Sequence, residues 1–225
     1  MPRPARTARP RRDSASQPGR VPLLPDEQLV PLLRGGDEAS FCALLDAYHG
    51  PLIRLALGFV KDHAAAQEVV QDTWAAVVEG LARFEGRSSL KTWIFRVLVN
   101  HATTRGQRDA RFTPFSAMEE VGTAEPAVDP ARFGRSGRWA APPQRWDEGN
   151  PERLALNGQA MDALSSALSD LAPAQRAVVT LREIEGLSSV EVCNVLKISE
   201  TNQRVLLHRA KAKLRCALEQ VYGAE

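Results

Sequence analysis

The stretch that decides the fold is residues 187–214, which read LSSVEVCNVLKISETNQRVLLHRAKAKL. Ser188 followed three positions later by Glu191 is a capping box, which is typical of a helix N-terminus. The short apolar run at 192–196 predicts a helix, and Ser199 is expected to begin a longer, basic helix after a tight turn. A short helix, a tight turn and a basic helix form the helix-turn-helix arrangement, which places its second helix in the DNA major groove.

The basic helix of this motif has two different faces, because positions three and four apart lie side by side on a helix. One face can enter a major groove and carries Thr201, Arg204, Val205 and His208. The other can pack on the domain and carries Leu207, Ala210 and Leu214. The motif by itself predicts a DNA-binding domain.

Positive charge is segregated along the chain, although the net charge is only +2. Residues 1–24 hold six arginines and one acidic residue, residues 83–111 hold seven basic and two acidic residues, and residues 204–215 hold five basic residues without an acidic one. The remainder of the chain is therefore acidic. Binding to phosphates depends on local charge, so two separate basic stretches within the helical regions predict two contacts with a polyanion. Solvated helix faces are the alternative interpretation.

Toward the N-terminus, residues 26–107 follow a helical period almost throughout. Asp37, Asp62 and either Ser88 or Ser89 stand where helix N-caps are expected. Pro51 is expected to bend or break the second helix of this segment.

The third helix of the same segment is amphipathic. Its apolar stripe consists of Val70, Trp74, Val77, Val78 and Leu81. Its opposite stripe consists of Glu68, Gln71, Asp72 and Glu79 and is expected to face solvent or a partner. In the fourth helix, Trp93 shares the phase of the apolar residues that point to the core.

Composition divides the chain into two helical domains. Residues 1–22 combine Pro, Arg, Ser and Gly without periodicity, which predicts a disordered tail. Between about 109 and 150 prolines replace the periodicity, as is typical of an interdomain linker. We therefore expect an all-α fold with a basic tail (1–24), a first helical domain (25–111), a flexible linker (112–150) and a helix-turn-helix domain (151–225).

The sequence also argues against several classes of function. Cys42, Cys193 and Cys216 are odd in number and lack a C-x-x-C spacing, so neither a disulfide framework nor a zinc site is expected. The chain lacks an apolar run of the roughly 18 residues that a bilayer requires and begins without a secretory signal, so we expect a cytoplasmic protein without membrane insertion. Hydrolase, phosphate-loop and zinc-protease motifs are absent, so we expect no catalytic residue, no metal and no cofactor.

Four short motifs follow one another along the chain: AQEVVQD at 66–72, KTWIFRVLVN at 91–100, L-x-x-x-Q-R at 171–176 and LHRA at 207–210. With the stretches around them, about 37–111 and 151–218, they resemble bacterial RNA polymerase sigma factors of the extracytoplasmic-function (ECF) group. The resemblance implies an alternative sigma factor, which binds core RNA polymerase and directs promoter recognition and transcription initiation.

The resemblance implies roles for residues of the first domain. In this family the acidic helix docks on the clamp helices of the largest polymerase subunit, and the matching residues here are Glu68, Gln71 and Asp72. The family captures the melted strand of the −10 element with the following loop and helix, and the matching residues here are Arg87, Ser88, Ser89, Lys91 and Asn100. Trp93 and Phe95 are candidates for stacking on bases.

In the second domain, the residues that match the family's −35 readers are Thr201, Arg204, Val205, His208 and Arg209. Arg204 and Arg209 are expected to contact either guanine edges or phosphates. The turn departs from the family pattern with Lys197 in place of Gly, Asn202-Gln203 in place of Thr-Val, and Leu206 in place of a basic residue. These departures leave open a register in which Val205 and Arg209 read the bases.

The implied partners are core RNA polymerase, through its clamp helices and flap region, promoter DNA, and an anti-sigma factor of the kind the family commonly has. A free-standing helix-turn-helix regulator is the alternative, but it leaves the acidic stripe without a role. A scaffold that binds polymerase without DNA leaves both basic stretches without one. Trp139 and Trp146 in the linker are expected either to dock on polymerase or a regulator, or to pack on the protein's own domains.

Overall fold

The computed structural model describes residues 23–108 and 151–222, and within these ranges the chain is helical and contains no strand. The all-α prediction is confirmed. Residues 1–22 and the predicted linker, including Trp139 and Trp146, lie outside the described residues. The helices are α1 (Asp26–Arg34), α2 (Glu38–Ala56), α3 (His63–Gly80), α4 (Leu90–Arg108), α5 (Pro151–Ser169), α6 (Pro173–Val179), α7 (Ser189–Leu196) and α8 (Glu200–Tyr222).

Three helices of the first domain, which comprises α1–α4, begin at the predicted caps. Asp37, Asp62 and Ser89 each accept a hydrogen bond from the backbone N–H three residues further on, at 2.8, 2.9 and 3.1 Å. Of the two serines that could precede α4, Ser89 is therefore the cap. Each such bond satisfies an N–H that the helix itself leaves unpaired and contributes about 1 kcal/mol.

Pro51 does not break the second helix, because α2 continues through this residue. The other expected outcome, a bend at Pro51, stays a prediction. Pro51 is itself buried. Leu52 and Leu55, which follow it in α2, are almost completely buried in the core. An internal proline costs a helix about 3 kcal/mol, and burying two leucines offsets this by a similar amount.

The core of the first domain corrects two further expectations. Phe95 is 0% exposed and packs edge-on against Tyr48, so it is not available to stack on a base. Val78 is 57% exposed, because it lies about 100° around α3 from the fully buried Val77. Trp93 is half-buried and packs on Phe84, with the ring centroids 5.1 Å apart.

The second domain, α5–α8, follows the predicted helix boundaries closely. Pro173 lies in the first turn of α6, and Ser188 and Glu191 form the predicted capping box at the start of α7. One feature was not predicted: α6 continues into a five-residue π-helical turn, Thr180–Ile184. Gly186, with a φ of +71°, then turns the chain toward α7.

The two domains pack directly against each other. α7 contacts α4, the π-helical turn contacts α2, and buried apolar residues of both domains belong to one continuous cluster. The division of the sequence into two helical segments did not predict this contact, since periodicity shows which face of a helix is buried but not what buries it.

Candidate promoter and polymerase interface

The turn between the two helices of the helix-turn-helix begins with a residue in an unfavourable backbone conformation. Lys197, which stands where the family has Gly, ends α7 in the left-handed region with φ 56° and ψ 46°. It is the only non-glycine residue with positive φ among those the structure describes. The Ser199 side chain then accepts a hydrogen bond from the Asn202 N–H at 3.2 Å at the start of α8. The predicted tight turn is thus formed at the cost of a strained lysine.

The outer face of α8 carries four of the predicted −35 readers. Thr201, Arg204, Val205 and His208 are all exposed. Two of the residues that depart from the family pattern point the other way: Gln203 and Leu206 are buried, and the Ser189 hydroxyl donates to Gln203 Oε1 at 3.0 Å. Gln203 therefore joins α7 to α8, and these two departures leave the outer face unchanged.

Arg209, the fifth predicted reader, is half-buried and lies away from the most exposed side of α8. Arg204 is largely exposed and pairs with Glu200, one turn earlier, at 3.0 Å. An exposed pair of this kind contributes little to stability, so it leaves Arg204 available for a stronger partner.

The acidic stripe of α3 lies beside basic residues of α4. Glu68, Gln71 and Asp72 are exposed as predicted, and Glu68 pairs with Arg105 at 2.8 Å. A cavity of about 320 Å³ next to this pair is lined by both Asp72 and Asn100. Residues predicted to serve polymerase binding and −10 binding are thus neighbours, which their separation along the sequence did not indicate.

The loop before α4 borders a second and larger cavity. This groove, of about 990 Å³, lies between α1 and the loop and is lined by Arg34, Phe84, Ser88 and Ser89 among others. Arg87 is exposed and pairs with Glu85 in the same loop. Three of the predicted −10 residues, Arg87, Ser88 and Ser89, therefore lie together at or beside one groove.

Ser89 and Lys91 also face the second domain. The Ser89 Oγ lies 2.8 Å from Thr92 Oγ1, and the Thr92 hydroxyl donates to Glu191 Oε1 at 2.6 Å. The Lys91 ammonium pairs with the Glu185 carboxylate at 3.5 Å and also donates to the Glu185 carbonyl oxygen.

Glu191 is held by both domains at once. Its carboxylate accepts hydrogen bonds from the Thr92 hydroxyl of α4 and from the Ser188 N–H of its own capping box. These bonds, that from Thr92 foremost, lower the pKa of Glu191 to about 2. The sequence identified the capping box, but the contact with Thr92 depends on how the domains pack.

At this junction no role was assigned from the sequence to Arg54, Arg176 or Glu185. Arg54 at the end of α2 pairs with Glu185 at 3.1 Å, and the Arg176 guanidinium of α6 donates to the Leu57 carbonyl oxygen at 3.4 Å. Burial lowers the pKa of Arg176. The only local signal for these roles was the Q-R of the 171–176 motif, whose arginine turns toward the first domain.

Comparison with known protein families gives two matches. The family model for sigma-70 region 2 matches residues 44–112, and that for sigma-70 region 4 matches residues 161–214. Together the matches span more than half of the 225 residues.

Three curated relatives are similar over most of their length. The RNA polymerase sigma-H factor of Pseudomonas aeruginosa is 26% identical over 198 residues, which cover 86% of this chain and 94% of the relative. The ECF sigma factor SigX of Bacillus subtilis is 28% identical, covering 81% and 85%. The ECF sigma-E factor of Escherichia coli K12 is 26% identical, covering 84% and 91%.

Two solved structures share the fold. The structure of CnrH in complex with the cytosolic domain of CnrY has a TM-score of 0.52 and 23% identity, with 87% of this chain and 97% of that chain covered. The sigma factor RpoE of Bartonella quintana, in complex with the anti-sigma factor NepR, has a TM-score of 0.50 and 18% identity, with 82% and 98% covered.

The chain therefore belongs to the sigma-70 family of RNA polymerase sigma factors and, within it, to the ECF type. It is an alternative sigma factor, a DNA-binding protein of transcription initiation that binds core RNA polymerase and directs promoter recognition. The alternative of a free-standing helix-turn-helix regulator is not favoured, since region 2 matches the first domain as well.

The described residues contain neither a candidate membrane span nor a candidate metal site. Within 23–108 and 151–222, no helix is both long and apolar enough to cross a bilayer. Across the same ranges, no three His, Cys, Asp or Glu side chains are grouped so that they could hold a metal ion.

Proposed function

We propose that this sigma factor divides its work between residues 25–111, which bind core polymerase and the −10 element, and residues 151–225, which bind the −35 element. The segment 112–150 connects the two. In this proposal the protein acts in the cytoplasm and catalyses no covalent step. It acts by binding both polymerase and promoter DNA. The exposed outer face of α8 is the observation that carries the proposal.

For the −35 element, the outer face supplies chemistry suited to a major groove. Arg204 can donate two hydrogen bonds to a guanine edge, His208 lies one turn further along the same face, and Val205 adds an apolar contact between them. Thr201 lies at the N-terminal end of α8, where a recognition helix approaches the bases. Arg209, half-buried at the side of the helix, is better placed for a phosphate than for a base edge.

For the −10 element, the groove between α1 and the loop of Arg87, Ser88 and Ser89 is large enough to receive a base that has left the stack. Capture of a single strand also needs a cationic path along its backbone. Lys91 supplies positive charge at the start of this path, and the exposed Asn100, a neutral side chain that can form hydrogen bonds, lies further along α4.

For core polymerase, the exposed stripe of Glu68, Gln71 and Asp72 is the proposed docking face. Charged residues at such an interface orient the two partners and speed their association, and reversing one of these charges lowers the affinity. A further proposed partner is an anti-sigma protein, since the similar RpoE of Bartonella quintana was crystallised with the anti-sigma factor NepR. A protein that co-purifies with this sigma factor and inhibits the transcription it directs would support this proposed partner.

Transcription in vitro tests the proposal. Core polymerase of the same bacterium and its sheared genomic DNA are incubated with and without the protein, and transcript 5′ ends are sequenced. We expect new start sites that share sequence elements near −10 and −35 and that are absent without the protein. Start sites independent of the added protein, or starts that share neither element, would contradict it.

A further inference from the structure

The loop that is proposed to receive a −10 base is held at both ends by residues of α1. Residues 85–89 of this loop are all exposed, whereas the residues that flank them, Phe84 and Leu90, are buried. The first end of the loop follows a short 3₁₀ turn, Leu81–Arg83, and the second is the start of α4. The loop therefore has an exposed middle between two ends that are anchored in the domain.

Arg34 holds the end at which the loop leaves the 3₁₀ turn. It is the last residue of α1, and its guanidinium donates to two backbone carbonyl oxygens, that of Leu81 at 3.1 Å and that of Phe84. A guanidinium can serve two acceptors at once because its N–H groups form a rigid, planar fork. One side chain thus fixes both the turn and the first residue that follows it.

Asp26 holds the other end of the loop. It is the first residue of α1, and its carboxylate accepts a hydrogen bond from the Leu90 N–H at 2.6 Å. Leu90 is the first residue of α4, so this N–H has no partner within its own helix. A carboxylate at a helix N-terminus is also favoured by the helix dipole. Asp26 therefore caps α4 from a different helix, next to the cap that Ser89 provides.

The apolar face of α1 fixes this helix to the domain. Leu29, Val30 and Leu33 are buried and belong to the main hydrophobic cluster. Asp26 and Arg34 lie beside this face at opposite ends of the helix, about 12 Å apart at a rise of 1.5 Å per residue. Because α1 is rigid and packed on the core, it sets the distance between the two ends of the loop.

We propose that Asp26 and Arg34 are positioning residues for −10 recognition, which hold both ends of residues 85–89 so that the loop discriminates among the bases that enter the groove. This inference rests on the proposed function, since it takes this loop to receive a −10 base. Ordering a flexible loop on binding costs conformational entropy, and a loop held in advance avoids part of that cost. A loop with a released end would adapt to a wrong base as well as to the right one, and would lose specificity.

Two other roles for these residues are distinguishable by experiment. Arg34 is exposed and lines the groove, so a direct contact with a DNA phosphate is one alternative. Lysine serves a phosphate as a point charge, but it lacks the planar fork that joins two carbonyls. A contribution to stability alone is the other alternative, and it would lower the thermal midpoint without changing the preference among bases.

The variants are made in the full-length protein and assayed in its complex with core polymerase. Three loop variants release one end each: Arg34→Ala removes the guanidinium, Arg34→Lys keeps the charge without the fork, and Asp26→Ala removes the acceptor. Asp26→Asn keeps an acceptor oxygen and is the conservative rescue. Glu38→Ala is the matched control, because it removes an exposed carboxylate from the first turn of α2 that does not line the groove.

The first measurement is the preference among bases. A promoter found in the transcription experiment is prepared with its −10 non-template strand unpaired, and each −10 position is changed in turn to the other bases. We expect the three loop variants to reduce the preference at the same −10 position by about three- to tenfold, the equivalent of one hydrogen bond. The −35 preference should not change. Asp26→Asn and Glu38→Ala should resemble the unmodified protein.

The second measurement follows the loop itself. Hydrogen–deuterium exchange of the full-length variants without polymerase, read by mass spectrometry, reports local opening of the backbone. The three loop variants should exchange faster in peptides that cover residues 81–90 and at the unmodified rate in peptides from α2 and α3. The thermal midpoint of each variant is measured alongside.

Faster exchange in the loop together with lost preference at one −10 position supports the inference. An unchanged preference in the loop variants, a normal preference in Arg34→Lys alone, or lost preference without faster exchange overturns it. A loss at every position that follows a lower thermal midpoint overturns it as well. In these cases the unmodified protein still prefers particular −10 bases, so the proposed function stands. If the unmodified protein shows no such preference, the proposed −10 role fails, and the inference fails with it.

Discussion

The Thr92 hydroxyl of α4 donates a 2.6 Å hydrogen bond to Glu191 Oε1 of α7 and so joins the two domains through a residue that also caps its own helix. Glu191 therefore contributes to two structures at once. Its N-terminal capping role is local, whereas its contact with Thr92 exists only while the domains are together. The dual role makes this carboxylate a sensitive point for pH and for mutation.

Acidification is expected to weaken the domain contact through Glu191. The pKa of this group is lowered from 4.5 to about 2, so its stabilising contribution is complete above about pH 4.5 and is lost as the pH falls toward 2. Urea unfolding and small-angle scattering between about pH 6 and about pH 3 measure the effect. In Glu191→Gln the free energy of unfolding should fall less steeply as the pH is lowered, whereas the control variant Asp162→Asn, which neutralises an exposed carboxylate on α5, should behave like the unmodified protein. An equally steep fall in Glu191→Gln would contradict the role assigned to Glu191.

Replacing Lys197 by Gly is expected to stabilise the helix-turn-helix by about 0.5 to 1 kcal/mol. A left-handed conformation costs a non-glycine residue about 1–2 kcal/mol, part of which is returned by the greater entropy of glycine in the unfolded chain. Lys197→Ala keeps the Cβ and should give no comparable gain. Urea denaturation at constant m-value compares the three proteins. A destabilised Gly variant would show that the lysine side chain contributes more than its backbone strain costs.

Asp72→Arg is expected to weaken binding to core polymerase several-fold while leaving the thermal midpoint almost unchanged. The residue is exposed, so the reversal should alter the docking face rather than the core. Asp46→Arg, on the exposed side of α2, is the matched reversal outside the proposed face. Co-purification with core polymerase at moderate salt measures both. Equal retention of the two variants would contradict the assignment of the α3 stripe.

Arg204→Ala and His208→Ala are each expected to lower transcription from a cognate promoter by an equivalent of about 1–3 kcal/mol and to relax preference at one −35 position. The two residues are one turn apart on the exposed face, so the affected positions should be adjacent. Lys213→Ala should instead weaken binding to all sequences alike and reduce its salt dependence. A library of promoter variants transcribed with each protein distinguishes these outcomes. Relaxed preference from Arg209→Ala instead would indicate the alternative register.

Much of the fold could be predicted because its signals are local. The caps at Asp37, Asp62 and Ser188, and the proline at the start of α6, act through hydrogen bonds and φ preferences within a few residues. The two faces of α8 could likewise be assigned from spacing, since a helix has one period. These features belong to the sequence by itself.

Other features were decided only by the tertiary structure. Pro51 was expected to bend or break α2, but the helix continues through it because burial of the residues around it outweighs the local penalty. Gln203 and Leu206 depart from the family pattern and left the register of the recognition helix open, and only their burial shows that they pack toward the domain rather than on the outer face. The pairing of Glu185 and Glu191 with residues about 100 positions away has no local signal, because the sequence specifies which surfaces are polar or apolar but not which two of them meet.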